Sequence, residues 1–146
     1  TRLAAKKKLR HIHIKIGYPQ WIMQDELLTR HYGYALTFTE SMTMAEISDI
    51  ASRSQVKAIM SNVAKPRDWE SFWMFTPDVF NMMYNALAND ILGLGAFMQK
   101  PLYDGDMPLF YNFGFYGAVI GHELTHGFSS NGAERGPFGD MTDWWT

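Results

Sequence analysis

Residues 121–128 read Gly-His-Glu-Leu-Thr-His-Gly-Phe, with His122 and His126 four positions apart and Glu123 beside the first. On a helix, positions i and i+4 lie one above the other on one face. Both imidazoles can then reach a single Zn²⁺ at about 2.0–2.1 Å. Glu123 has a different use. Next to the pair rather than in it, it can take a proton from an attacking water and pass it to a leaving amine. The spacing therefore names His122 and His126 as metal ligands and Glu123 as the base.

The surrounding residues set the helix in context. At 100° per residue, Phe115, Val119, His122, Glu123 and His126 gather on one face. Ile120, Leu124 and Phe128 gather on the other, and Gly117 and Gly121 leave room for another backbone to approach closely. A helix apolar on nearly every side is expected to be buried. Inside a protein, two unpaired histidines and a carboxylate are costly, and a metal removes that cost.

Two histidines do not complete a zinc site. A third histidine in the extended motif of one zinc-peptidase class would need Gly at 129 and His at 132, where this chain has Ser129 and Gly132. Glu134 follows His126 by only eight residues in a Gly-rich, turn-like stretch. His11, His13 and His31 lie upstream with no supporting pattern. The motif supplies two ligands, and the third is expected elsewhere.

The rest of the chain bounds the answer. Its 146 residues suit one modest domain, and 47% hydrophobic with 15% aromatic content argues against disorder. A net charge of −2 argues against nucleic acid as a partner, and the one basic run, Lys6-Lys7-Lys8-Leu9-Arg10, has no interleaved aromatics. There is no cysteine, no apolar run long enough to span a membrane and no leader-like start. The start without Met, in a charged stretch, suggests a segment of a longer protein.

Pattern divides the chain into three regions. Residues 1–64 read as a helical lead-in. Leu9, Ile12 and Ile16 are spaced for a helix face, although residues 11–16 also alternate as a strand does; Gly17-Tyr18-Pro19 favours a helix ending there. If that stretch is a strand, His11 and His13 form a candidate metal pair; otherwise they belong to a solvated basic face. A helix over 43–64 opens on Thr43-x-x-Glu46, a capping-box pattern, and carries Met44, Ile47, Ile59 and Val63 on an apolar face. Residues 65–112 read as loops and short strands. Residues 65–68 are a loop, residues 69–77 are aromatic-rich, and residues 79–84 and 90–92 are extended. Residues 113–146 hold the motif helix and the loop after it.

The motif and its neighbours carry a resemblance. Tyr116 through Phe128, then Asn131-Gly132, Gly139-Asp140 and Asp143-Trp144-Trp145-Thr146, resemble the neprilysin and endothelin-converting-enzyme family of zinc metalloendopeptidases. Residues 15–19 resemble that family's upstream helix end, and residues 81–85 its substrate strand, with Asn89, Ile91, Gln99 and Pro101 keeping the spacing of the next segment.

The resemblance implies an α+β, mainly α-helical chain. It would be part of a thermolysin-like (gluzincin) catalytic domain with a short substrate-binding strand edge and a buried zinc helix. It implies Zn²⁺ on His122 and His126, Glu123 as base, and Asn81 with the Met82 backbone as holders of the substrate main chain. The third ligand would be a glutamate beyond Thr146, so the 146 residues alone are expected to be inactive. It also implies peptide substrates cut on the amino side of large apolar residues. The setting would be extracellular, either secreted or on a single-pass type II anchor outside this chain.

Three departures support an alternative, a non-catalytic homologue that binds peptides or partners. Ser129-Ser130 replace two aspartates, Gly93-Leu94-Gly95-Ala96 replaces Phe-Pro-Ala-Gly, and Met82 and Met83 replace alanine and an aromatic residue. Ser129 stands where an aspartate would orient His126 from behind, which makes it a candidate outer-shell residue.

Overall fold

A computed structural model of the chain describes residues 1–63, 65, 66, 68 and 72–145. Parts of the expected 65–68 loop and of the aromatic stretch 69–77, as well as Ala64 and Thr146, lie outside them. In chain order the elements are α1 (Arg2–Arg10), β1 (His13–Gly17), α2 (Asp25–Tyr32), α3 (Met44–Asn62), β2 (Met82–Asn85), β3 (Asp90–Leu94), α4 (Leu109–Asn112), α5 (Ala118–His126) and α6 (Ser130–Ala133). They form two compact units, Thr1–Tyr18 with Trp73–Thr146, and Pro19–Phe72. The content is that of the expected α+β chain, mainly helical with a small sheet.

In the first unit the sheet order is β1-β3-β2. β3 runs parallel to β1 and antiparallel to β2. Being central, it has all five of its residues buried. Ile91, Leu92 and Leu94 are at most 1% exposed, and burial of each stabilises by about 1.5–3 kcal/mol. Gly93 is dictated by its neighbours. A Cβ there would sit 2.6 Å from Tyr116 Oη and 2.8 Å from Ile16 Cδ1. Met82, Ile91 and Tyr116 form the centre of the core, with Ile12, Tyr84, Phe97, Val119, Ile120 and Leu124 packed around it. Through Tyr116, Val119, Ile120 and Leu124 the motif helix is thus seated on the sheet.

The expected helix to residue 16 is corrected. α1 stops at Arg10 and His13–Gly17 is a strand. Alternation, not helical spacing, is the true signal, because a ladder partner exists: His13 N–H donates to the Asn89 carbonyl at 3.0 Å. Lys15 points inward, pairing with the buried Asp90 carboxylate at 2.7 Å, while Ile14 is 60% exposed. Gly17, at φ +89°, closes the strand in a conformation that favours glycine. Among the described residues His11 and His13 belong to no group of three or more potential metal ligands. His11 Nδ1 bonds the Lys7 carbonyl at 2.7 Å and its ring meets Phe138 edge-on, while His13 is exposed on the strand.

In the second unit α3 begins as expected. Thr43 Oγ1 accepts from Glu46 N–H at 3.3 Å, and a Glu46 oxygen accepts from Thr43 N–H at 2.8 Å, which completes the capping box. That arrangement also holds the Glu46 carboxyl below its usual range. The apolar face is a correction. Met44, Ile59 and Val63 are 78%, 65% and 72% exposed, and Ile47 is half-buried. Spacing marks a face able to pack; it does not supply the partner.

Candidate metal centre

α4 and α5 are parts of one helical run, joined by a π turn over Phe113–Gly117. A π turn inserts an extra residue and rotates the upstream turns relative to the downstream ones. Upstream of the motif, Phe115, expected beside the histidines, is half-exposed, and Tyr116 is the residue buried in the core. The expectation of a helix buried all round is corrected in the same way. Tyr116 and Glu123 are buried, and Val119, Ile120 and Leu124 half-buried, while His122 and His126 are exposed. One side sits on the sheet and the histidines face away from it.

Close backbone approach also occurs at a different glycine. Nothing lies within 4 Å of a Cβ at Gly121, and at Gly117 the nearest neighbour is Phe113 of the same helix. At Gly127, however, a Cβ would meet the Tyr84 ring at 3.2 Å. Glycine at the end of α5 lets the helix rest on β2.

His122 Nε2 and His126 Nε2 are 3.0 Å apart, with their rings nearly perpendicular at 89°. One ion can touch both at an ordinary zinc–nitrogen distance of about 2.0–2.1 Å. The donor set suits zinc: two imidazoles on one side and Glu123 within the same group, their ligand atoms all inside 4.8 Å. The residues fit the metal.

Glu123 is 7% exposed, yet it is not stranded. One of its oxygens accepts the backbone N–H of Tyr84 at 2.8 Å. A charge-assisted bond from a strand amide stabilises the carboxylate and fixes its direction. The same bond shows which way β2 faces. Tyr84 N–H points away from β3, as does Met82 N–H, which is taken at 2.9 Å by the side-chain oxygen of Asn81. The sheet's outer edge thus runs alongside α5, with Asn81 exposed at its start.

Between edge and helix lies a cleft of about 500 Å³. Asn81, Met82, Met83, Tyr84 and Ala86 line one side, and Glu123, His126 and residues 129–132 the other. Every site residue expected from sequence except His122 borders it. Ser129 borders it in a particular way. Its hydroxyl donates to the His126 backbone carbonyl at 3.3 Å rather than accepting from the imidazole. The motif loop thus reaches the main chain of the ligand, not its ring.

Sequence reasoning missed several residues. Tyr84 lies in the expected extended stretch with no role of its own, but its amide anchors Glu123, its hydroxyl donates to Asn89 Oδ1 at 2.7 Å, and burial, then the Asp90 charge, push the phenol up to about 12. Asn89, at φ +52°, donates onward to the carbonyls of Lys8 and Pro137 at 3.2 and 2.9 Å. Lys8, named from sequence only as a member of the basic run, is 1% exposed. Only Asn89 carried any local signal, as a turn residue between two extended stretches.

The sequence profile of peptidase family M13 matches residues 81–146, from the β2 edge through the motif helix and the loop after it. Over these residues the chain is similar to peptidase family M13. Human endothelin-converting enzyme-like 1 is 30% identical over 147 residues, an alignment covering 100% of this chain and 18% of that protein. PepO of Lactobacillus rhamnosis matches in structure with a TM-score of 0.78 at 27% identity, covering 99% of this chain and 22% of that one. Zinc metalloprotease Zmp1 of Mycobacterium tuberculosis, solved with an inhibitor, matches at 0.70 and 27%, covering 99% and 20%. The chain spans about a fifth of the length of the relatives it matches. No helix among its described residues is long and apolar enough to cross a membrane.

Proposed function

We propose that the protein carrying this chain is a zinc-dependent endopeptidase of the neprilysin type. The observation that carries the reading is the position of Glu123. It is buried, next to the paired His122 and His126 imidazoles, and tied by Tyr84 N–H to the strand edge that borders the cleft. Base, ligand pair and substrate edge meet in one place.

In this reading His122 and His126 hold Zn²⁺ together with a third ligand, a glutamate by family resemblance, from outside these residues. Zinc, when bound, supplies Lewis acidity that makes water nucleophilic near neutral pH and polarises the scissile carbonyl. Glu123 takes the proton from the attacking water and returns it to the leaving amine, its carboxylate held at one oxygen by Tyr84. The peptide adds as a further strand along β2. Asn81 and the Met82 carbonyl receive its main chain, and Asn81 is already positioned by the Met82 amide. Substrates are peptides cut on the amino side of large apolar residues, in an extracellular setting, with any membrane anchor outside this chain.

Ser129-Ser130, in place of the family's two aspartates, favours a second reading: a homologue that binds peptides in the cleft without cutting them. One experiment separates the two. The full-length protein is expected to cleave a quenched apolar peptide, to lose that activity with a strong chelator and to regain it with added zinc. Binding without cleavage would select the second reading, and cleavage indifferent to chelator would remove zinc from the first.

Asn81→Ala tests the edge. Loss of the side chain frees the Met82 N–H and removes a donor to the peptide, at about 1–3 kcal/mol for an unsatisfied partner. The expected result is a fall of about 5- to 150-fold in kcat/KM at unchanged zinc affinity. Unchanged kcat/KM would place the substrate elsewhere.

A further inference from the structure

Lys8 is among the most buried side chains of the described chain, 1% exposed. Its ammonium donates to the carbonyls of Gly132 and of Arg135, the latter at 2.7 Å. It lies 5.8 Å from the centre of the Tyr84 ring and 5.5 Å from that of Trp144. Burial, aided by the Arg135 charge, brings it down to about 8. A buried ammonium is expensive and is retained only where its donors are matched. Here they are matched to two carbonyls at the end of the four-residue helix α6. A second donor reaches one of those carbonyls: Trp144 Nε1–H bonds the Arg135 oxygen at 2.9 Å.

Gly132 links this clamp to the metal centre. A Cβ on it would overlap the His126 carbonyl oxygen and lie 2.6 Å from the Gly127 carbonyl carbon, so α6 is in direct contact with the end of α5. Gly132 also lines the cleft, in the segment opposite β2. We infer that Lys8 is a positioning residue for the metal centre: from α1 it clamps Gly132 and Arg135, and through Gly132 it holds the His126 end of α5 and the far wall of the cleft. The inference rests on the zinc reading, but the clamp itself can be measured without metal.

The test uses Lys8→Met and Lys8→Gln in the full-length protein, with amide hydrogen exchange and zinc affinity by chelator competition. In Lys8→Met, exchange across 127–135 is expected to quicken at least about tenfold, with the central strand β3 of the same unit unchanged. Zinc affinity should fall about 10- to 100-fold, the range for groups that orient ligands from behind. Lys8→Gln, with a donor on a shorter stem, should fall between, and it decides the matter if Lys8→Met does not fold. Unchanged exchange over 127–135 would overturn the clamp. Equal acceleration in β3 would overturn it too, since Lys8 would then add only general stability. Local loosening with wild-type zinc affinity would overturn the link to the metal. If the wild-type protein bound no zinc, the peptidase reading would fail, and the exchange data would still decide the clamp.

Discussion

Glu123→Gln is expected to lower peptide turnover by about 10²- to 10⁴-fold while leaving zinc affinity within a few-fold of wild type. The substitution is nearly isosteric. A glutamine side-chain oxygen can still accept Tyr84 N–H, now at 2.8 Å from the carboxylate, so β2 and α5 keep their junction. Basicity disappears, because an amide cannot take a proton from water near neutral pH. Neither imidazole is touched, so the 3.0 Å spacing of the Nε2 atoms should persist. The measurement is kcat and KM on an apolar peptide, alongside zinc affinity. Turnover within tenfold of wild type would mean that another group is the base. A parallel loss of zinc would mean that Glu123 serves the metal site as ligand or prop, not as base.

Gly132→Ala should have the second-largest effect, on structure first. The new methyl would overlap the His126 carbonyl oxygen and press on Gly127 Cα at 2.8 Å. These are backbone atoms at a helix end and cannot rotate aside as a side chain does. Overpacking of this kind costs about 1–3 kcal/mol, and sometimes more. Relief requires α6 to move off α5, which also pulls Gly132 away from Lys8. Faster amide exchange over 126–135 and weaker zinc binding are therefore expected together. Gly121→Ala is the control. Nothing lies within 4 Å of its Cβ, and it is exposed within α5, so alanine should stabilise the helix by about 0.5–1 kcal/mol. Equal behaviour of the two variants would show that the α5–α6 contact is not tight.

The same contrast separates the legible part of the sequence from the rest. His122, Glu123 and His126 sit within five consecutive residues, and Thr43 and Glu46 within four; helix geometry alone brings such neighbours together. β2 and β3 were likewise visible as apolar runs on either side of a turn. The resemblance to neprilysin-type peptidases rested on strings of this local kind, and the family match over residues 81–146 agrees with it.

The errors came where one segment had two local solutions or a partner far away. Residues 11–16 suited helix and strand alike, and pairing with the distant β3, His13 opposite Asp90 and Lys15 opposite Leu92, chose the strand. The π turn interrupts the count of 100° per residue, and Tyr116, for which that count gave no place, is the residue of the turn that reaches the core. Tyr84 meets Glu123 across 39 residues, and Lys8 meets Gly132 across 124. Nothing near Lys8 in the sequence distinguishes it from Lys6 or Lys7; only the folded chain brings two carbonyls to it. The sequence by itself determined which groups could hold a metal and move a proton, because that chemistry is packed into one turn of helix. Tertiary structure decided what anchors them, because a buried carboxylate or ammonium needs partners that the chain supplies only after distant segments have met.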